Sequence, residues 1–273
     1  MKMLCWQALF FWSLASTTYA QSFSPGCELP FKSIQESHEI DESCSIDGTK
    51  RDGGELSSVK LAENEAKNDF CNTNSPLPML FSTFTKLQSA ADDIAESSLD
   101  NRQAALSNLV TVNGKKYGEG KVVEYVAFII HAKPSNVKRS KTATKFGESV
   151  NCYRQSEEEN DIHIVLGRTL DDEPCDTVTA EISPHFRPLA WTPDNLNHLE
   201  HHPVRMTGQL FFDSSHKPCK DGKGSPARAS VWEIHPVYAV EVCRKTSIQT
   251  CKSGPRSNWV PLDEWFGEDE NPE

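Results

Sequence analysis

Two acid-x-His triplets are the residues of this chain best spaced for chemistry. Asp161-Ile162-His163 and Glu233-Ile234-His235 each set a carboxylate and an imidazole two residues apart. On an alternating strand, side chains i and i+2 point the same way, so each triplet can present an N/O metal site or an acid/base couple. Asp161, His163, Glu233 and His235 are therefore the candidate metal ligands. The competing reading is a polar outer face whose side chains hydrogen-bond across strands.

A second group is basic. Lys133, Lys138, Arg139, Lys141 and Lys145 follow one another without an intervening acid, and Lys217, Lys220, Lys223 and Arg228 are opposed only by Asp221. Two such loops at one rim would form an electrostatic funnel for a polyanion. Bases or sugar rings would need aromatic platforms, and Tyr153, Phe186 and Trp191 are the candidates. Trp232 lies on the apolar face of its strand and reads as core. The ligand-binding set is thus Lys133, Lys138, Arg139, Lys141, Lys145, Tyr153, Lys217, Lys220 and Arg228. The competing reading is that exposed loops carry lysine for solubility.

His198, His201 and His202, with His185 and His216 near them in sequence, form a third group. His198 and His202 have the i, i+4 spacing of a helical metal pair, but HExxH is absent. GxSxG, GxGxxG and Walker A patterns are also absent, so neither nucleophilic catalysis nor a nucleotide cofactor is implied, and no cofactor is expected.

The elements that must position these residues follow a recognisable order. An apolar run at Lys121–Ala132 is followed by strand signals at Ile162–Gly167 and Thr177–Ser183. A capped helix signal at Thr192–His202 comes next, with Thr192 as N-cap and Pro193 at the first helical position. Strands at Val204–Phe212 and Val231–Val242 complete the set. Three strands, a helix and two strands is the order of a five-stranded OB-fold-like Greek-key barrel, which binds oligonucleotides, oligosaccharides or proteins. In that barrel strand three separates strands two and five, which argues against one site shared by the two triplets. Alternation on strands two and five predicts half-buried strands with polar outer faces, and Pro236 predicts a bulge or an edge. Leu196 and Leu199 are placed to plug the barrel bottom.

Composition sets the compartment. Residues 1–20 combine Lys2, an apolar stretch and a Thr18-Tyr19-Ala20 exit, the layout of a signal peptide. Nothing later is long and apolar enough to span a membrane. Cys5 leaves with the leader, and Cys27, Cys44, Cys71, Cys152, Cys175, Cys219, Cys243 and Cys251 remain as a disulfide framework of open pairing. Losing Lys2 takes the formal charge from -11 to -12. So acidic a chain binds polyanions only through a local basic patch.

The expected organisation is therefore a signal peptide at 1–20, an irregular cysteine-containing segment at 21–75 and a helical segment packing on the barrel at 76–112. A barrel at 113–247 and an acidic tail at 248–273 follow, with Trp259 and Trp265 candidates to dock back. The fold class is mainly β with an α-helical N-terminal layer, stabilised by disulfides.

The runs Gly147–Cys152, Asn160-Asp161-Ile162-His163-Ile164, Ser183–Pro188 and Trp232-Glu233-Ile234-His235-Pro236-Val237 resemble an uncharacterised family of exported bacterial proteins. The resemblance covers roughly Gly118–Cys243 and implies an OB-fold and export, with no activity attached. A functional analogue on the same barrel is the thermonuclease type of secreted nuclease, for which Asp161, Arg154 and Arg168 are the loosely placed counterparts. That family's arginine, aspartate-threonine and glutamate run is absent, so its active site is not carried over. The leading expectation is an exported binding protein for an anionic polymer, nucleic acid or acidic glycan, rather than an enzyme. The alternatives are a metal-dependent hydrolase or nuclease built on the Asp/His faces, and a module with a protein partner or an envelope-structural role.

Overall fold

A computed structural model describes residues 22–92, 94, 96–135, 147–199 and 201–267. Residues 1–20, expected as a signal peptide, and the end of the acidic tail lie outside the described residues. Five strands close a mixed barrel: β1 (Val122–Pro134), β2 (Ile162–Gly167), β3 (Val178–Ile182), β4 (Val204–Phe212) and β5 (Trp232–Cys243). β1 pairs β2, β2 pairs β3, β3 runs parallel to β5, β5 pairs β4 and β4 returns to β1. The five strands fall where the hydrophobic patterning puts them.

β1 is long enough to belong to both halves. Its residues 122–127 pair with β4 and 128–134 with β2, with a register shift between Ile129 and His131. Inside the barrel, Ile162, Ile164, Leu166, Ala180, Trp232 and Ile234 are buried. A short helix, Pro193–Asn197, closes one end, its first turn capped by Thr192 accepting from the Asn195 N–H at 3.1 Å. Leu196 and Leu199 are buried against the core, as a plug should be. Pro236 does interrupt the ladder: Gly208 faces Val237 while Leu210 faces Ile234, a shift beside that proline. Gly208 is required there, because a Cβ would stand 2.5 Å from the Pro236 carbonyl oxygen.

The N-terminal segment is more ordered than its composition suggests. A helix at Ser58–Lys67, here α1, crosses the outer face of the barrel, and Phe23, Ile34, Ile40 and Phe70 are buried beneath the segment. Phe31 stacks on Tyr238 at 4.2 Å. Cys27–Cys71 closes the segment on itself and Cys44–Cys152 ties it to the connection between β1 and β2. Cys175–Cys219 and Cys243–Cys251 complete the pairing, so all eight cysteines among the described residues are used.

The helical segment expected at 76–112 is interrupted. Leu77–Pro78 pairs in parallel with β1, the helix proper is α2 (Phe81–Ala91), and a 3-10 turn leads to a short helix at Arg102–Leu106. Phe84, Leu87 and Ala91 pack on the barrel, whereas Leu80, preceding the helix, is exposed. Asn113-Gly114 turns a small hairpin, Val110–Val112 against Lys115–Tyr117. Trp259 docks beside Cys243 on the outer edge of β5, and Trp265 lies against the His202 ring at 4.9 Å.

One expectation about the strands fails. The outer face of β5 is not exposed at Glu233 and His235, which are fully buried. The alternating pattern reads the strand correctly, but α1 and the segment before β5 cover its polar side.

Candidate functional site

A cleft of about 900 Å³ lies over the outer face of β2 and β3. Its walls are α1, the ends of the β1–β2 connection, and the Asp213–Arg228 segment between β4 and β5. Register builds its floor. Lys133 faces His163 across β1 and β2, and His163 faces Glu181 across β2 and β3. Thr179 faces Glu233 on parallel β5, so two residues further on, Glu181 stands beside His235. Alternation then puts Lys133, His163, Glu181 and His235 in one row on one face of the sheet.

The contacts follow the row. His163 Nε2 lies 3.1 Å from Glu181 Oε1 and 3.9 Å from Glu148 Oε1. His235 Nδ1 lies 2.9 Å from Glu181 Oε2 and 3.6 Å from Glu233 Oε1, and its Nε2 lies 4.0 Å from Asp161 Oδ1. Asn151 donates to Asp161 Oδ2 at 2.9 Å. Lys67, from the last turn of α1, meets Glu148 at 2.7 Å and Glu181 at 4.0 Å, above the Phe211 ring. Arg228 bridges Glu233 at 2.7 Å and Asp213 at 2.5 Å, and Asp213 also meets His216 Nδ1 at 2.6 Å.

The helix holds Lys67 in place by local bonds. Ser57 caps α1 by accepting from the Lys60 N–H, and Asn64 donates to the Asp47 carbonyl at 2.7 Å while accepting from Ser149 Oγ at 3.0 Å. The position of Lys67 over the floor is therefore fixed by backbone and amide contacts, not by its charge alone.

Burial and charge compete at every member of the network. Burial would favour neutral His235, but the Glu181 and Glu233 carboxylates outweigh it and raise its pKa to about 10. Burial would lower the Lys67 ammonium, yet Glu148 and Glu181 hold it well above its ordinary value. The Glu181 carboxyl lies well below the usual range despite its burial, because His163, Lys67 and His235 surround it. Lys67 lowers Glu148 in the same way. Asp161 is raised by burial, and Glu233 by burial and the charge of Glu181. On the opposite lip, its hydrogen bond with Asp213 raises the His216 pKa.

The two acid-x-His triplets thus meet, contrary to the expectation that β3 keeps them apart. β3 joins them, because it contributes Glu181 between His163 and His235. Glu181, Lys67, Glu148 and Asp213 were not singled out in the sequence. For Glu181 a signal existed: Thr179 and Glu181 alternate with Val178, Ala180 and Ile182, which marks them as the outer face of β3. For Lys67 no local signal existed, since its role depends on where α1 crosses the barrel.

The predicted ligand-binding residues separate into four groups. Lys133 and Tyr153 line the cleft. Lys217 and Lys220 are exposed on the β4–β5 segment outside the cleft lining, and Lys138, Arg139, Lys141 and Lys145 lie outside the described residues. Arg228 lines the cleft but is buried in its two ion pairs, so it belongs to the floor and not to a free basic rim.

Phe186 and Trp191 are buried and offer no platform, whereas Trp232 is core as expected. His198 and His202 make no metal pair: the helix ends at Asn197, and their Nδ1 atoms lie near the Asp194 and Cys243 carbonyl oxygens. His185 is buried against Asp41. Arg154 is held by Ser43, and Arg168 lies over the Phe81 ring beside Asp172, so neither accompanies Asp161. No helix among the described residues is long and apolar enough to cross a membrane. Four disulfides are the mark of an oxidising compartment.

No protein-family model, no curated protein and no solved structure matches this chain.

Proposed function

We propose that this is an exported OB-type binding protein whose cleft takes a stretch of anionic polymer, a nucleic acid or an acidic glycan. The observation that carries the reading is the position of the cleft on the β2–β3 face, between the β1–β2 and β4–β5 connections. That is where OB barrels engage extended ligands. Lys133 supplies exposed charge at its wall and Tyr153 a ring, Lys60 is held in an ion pair with Glu63, and His216 carries the raised pKa of a group favouring its cationic form. The lysines of the β4–β5 segment extend the charge outward.

The floor is different from the rim. Its carboxylates, Glu148, Asp161, Glu181, Asp213 and Glu233, outnumber the Lys67, Arg228 and His235 cations set among them, so the net attraction for a polyanion has to come from the rim. Binding of labelled single-stranded DNA and of a sulfated or uronic glycan across a salt series tests this. Affinity should fall steeply with salt, because displaced counterions set the slope. Affinity that ignores salt, or no binding to either polymer, overturns the reading.

A second reading, hydrolysis of the bound polymer, is favoured by His163, which faces the cleft with a carboxylate 3.1 Å from its ring nitrogen. That is the arrangement of an oriented acid/base group. Shortened product that disappears in H163Q, with polymer binding retained, would establish it.

A further inference from the structure

The group around His235 holds more polar atoms without an aligned hydrogen bond than a buried structural network should. Asp161 Oδ1, Glu181 Oε2, Glu233 Oε1 and both ring nitrogens of His235 are buried without an aligned hydrogen bond. Buried polar atoms are normally satisfied, and each exception calls for a cause. One ligand atom each from Asp161, Glu181 and His235 lie within 4.8 Å of one another.

Charge points the same way. Three carboxylates, Asp161, Glu181 and Glu233, surround His235. The nearest basic groups are shared with other acids: His163 stands between Glu181 and Glu148, Lys67 is closer to Glu148 than to Glu181, and Arg228 divides itself between Glu233 and Asp213. Arg187 donates to the Asn160 and Glu158 carbonyls and does not reach the Asp161 carboxylate by a hydrogen bond. Among the described residues, the pocket of three carboxylates is short of positive charge.

We propose that Asp161, Glu181 and His235 form a binding site for one divalent transition-metal ion beneath the cleft floor. Two carboxylate oxygens and an imidazole nitrogen are the donor set that suits Zn²⁺ or Mn²⁺. Donors on one such ion stand roughly 3 Å apart, so side-chain adjustments of about 1 Å bring these three onto it. Each donor is positioned by its own element: Asp161 by the Asn151 amide, Glu181 by its place between His163 and His235, and His235 by the β5 ladder. Glu181 lines the cleft, which makes the cleft the route for the ion and its exchange ligands. The proposal goes beyond the polymer reading and does not depend on it.

The test uses the purified protein, stripped with chelator and dialysed, and titrated with Zn²⁺ alone and with Mn²⁺ alone. One ion per chain is expected, and the Mn²⁺ complex should show spin-echo modulation from a single coordinated ¹⁴N. D161N and E181Q should each weaken binding by roughly 100-fold or more, since ligand loss exceeds the 10–100-fold effect of outer-sphere changes. The wild-type spectrum keeps the proposal testable should a variant fail to fold. No stoichiometric binding overturns it, as does a bound Mn²⁺ without nitrogen coupling, or binding unchanged in folded D161N and E181Q.

Discussion

His163 and His235 occupy the same place in two nearly identical triplets, and their surroundings diverge. His163 sits on β2 with the cleft above it, and its side chain is 25% exposed. His235 sits on β5, covered by the Phe211 ring and the Arg228 ion pairs, and its side chain is 0% exposed. Strand geometry gives both the same orientation. What lies on top of the strand decides whether an imidazole can exchange protons with a ligand or is held as a buried charge. The first kind of group can do chemistry at the cleft; the second sets the electrostatics of the floor.

The largest effect should come from breaking the cover over His235. Arg228→Met leaves Asp213 and Glu233 buried without their shared cation, and removing one partner of a buried pair costs about 3–5 kcal/mol. Chemical denaturation should record a loss of that order. A loss below about 1 kcal/mol would mean that solvent reaches the floor and that the two histidines differ less than their burial suggests.

Next comes the direct contrast. His235→Gln removes the cation facing Glu181, Glu233 and Asp161, and should destabilise the protein by about 2–4 kcal/mol. His163→Gln removes a partly exposed partner and should cost less than about 1 kcal/mol. Equal losses in the two variants would break the comparison.

pH sharpens it further. The folded pKa of His235 is raised to about 10 from an ordinary 6.5. Its contribution to stability is therefore complete below about pH 6.5 and is lost as pH rises through 10. Glu148, Glu181 and Asp213 are lowered in the fold, so their contribution is present above the ordinary carboxylate range and lost as pH falls. Denaturation midpoints should thus decline on both sides of neutrality. In His235→Gln the alkaline decline should largely disappear; an unchanged alkaline limb would show that another group carries it.

The barrel was legible because each strand carries its own period-2 or doubly apolar pattern, and Thr192-Pro193 marks the helix between β3 and β4 without reference to anything distant. The site was legible only in halves. Asp161, His163, Glu233 and His235 could be read from spacing, but Glu181 gains meaning only when β3 is placed between β2 and β5 with its register fixed. Lys67 and Glu148 are 81 residues apart and meet because α1 lies across the sheet, which no local pattern encodes. Arg228 was misread for a related reason. A cation in a loop looks free until the ends of β4 and β5 bring Asp213 and Glu233, 15 and 5 residues away, around it.

The smallest effect on stability should come from the rim, and it discriminates most between binding and structure. Lys133 is exposed at the edge of the cleft, beside His163 in the strand register. Exposed surface changes usually stay within about 0.5 kcal/mol, so Lys133→Glu should leave the denaturation midpoint almost where it was. Affinity for single-stranded DNA should nevertheless fall, and the salt slope should drop by about one for a lost phosphate contact. A floor variant such as Arg228→Met should show the converse, a large stability loss with its salt slope preserved in whatever fraction remains folded. If Lys133→Glu leaves both affinity and slope unchanged, the exposed lysines are solvated decoration. The functional weight would then rest on the histidines and carboxylates of the floor.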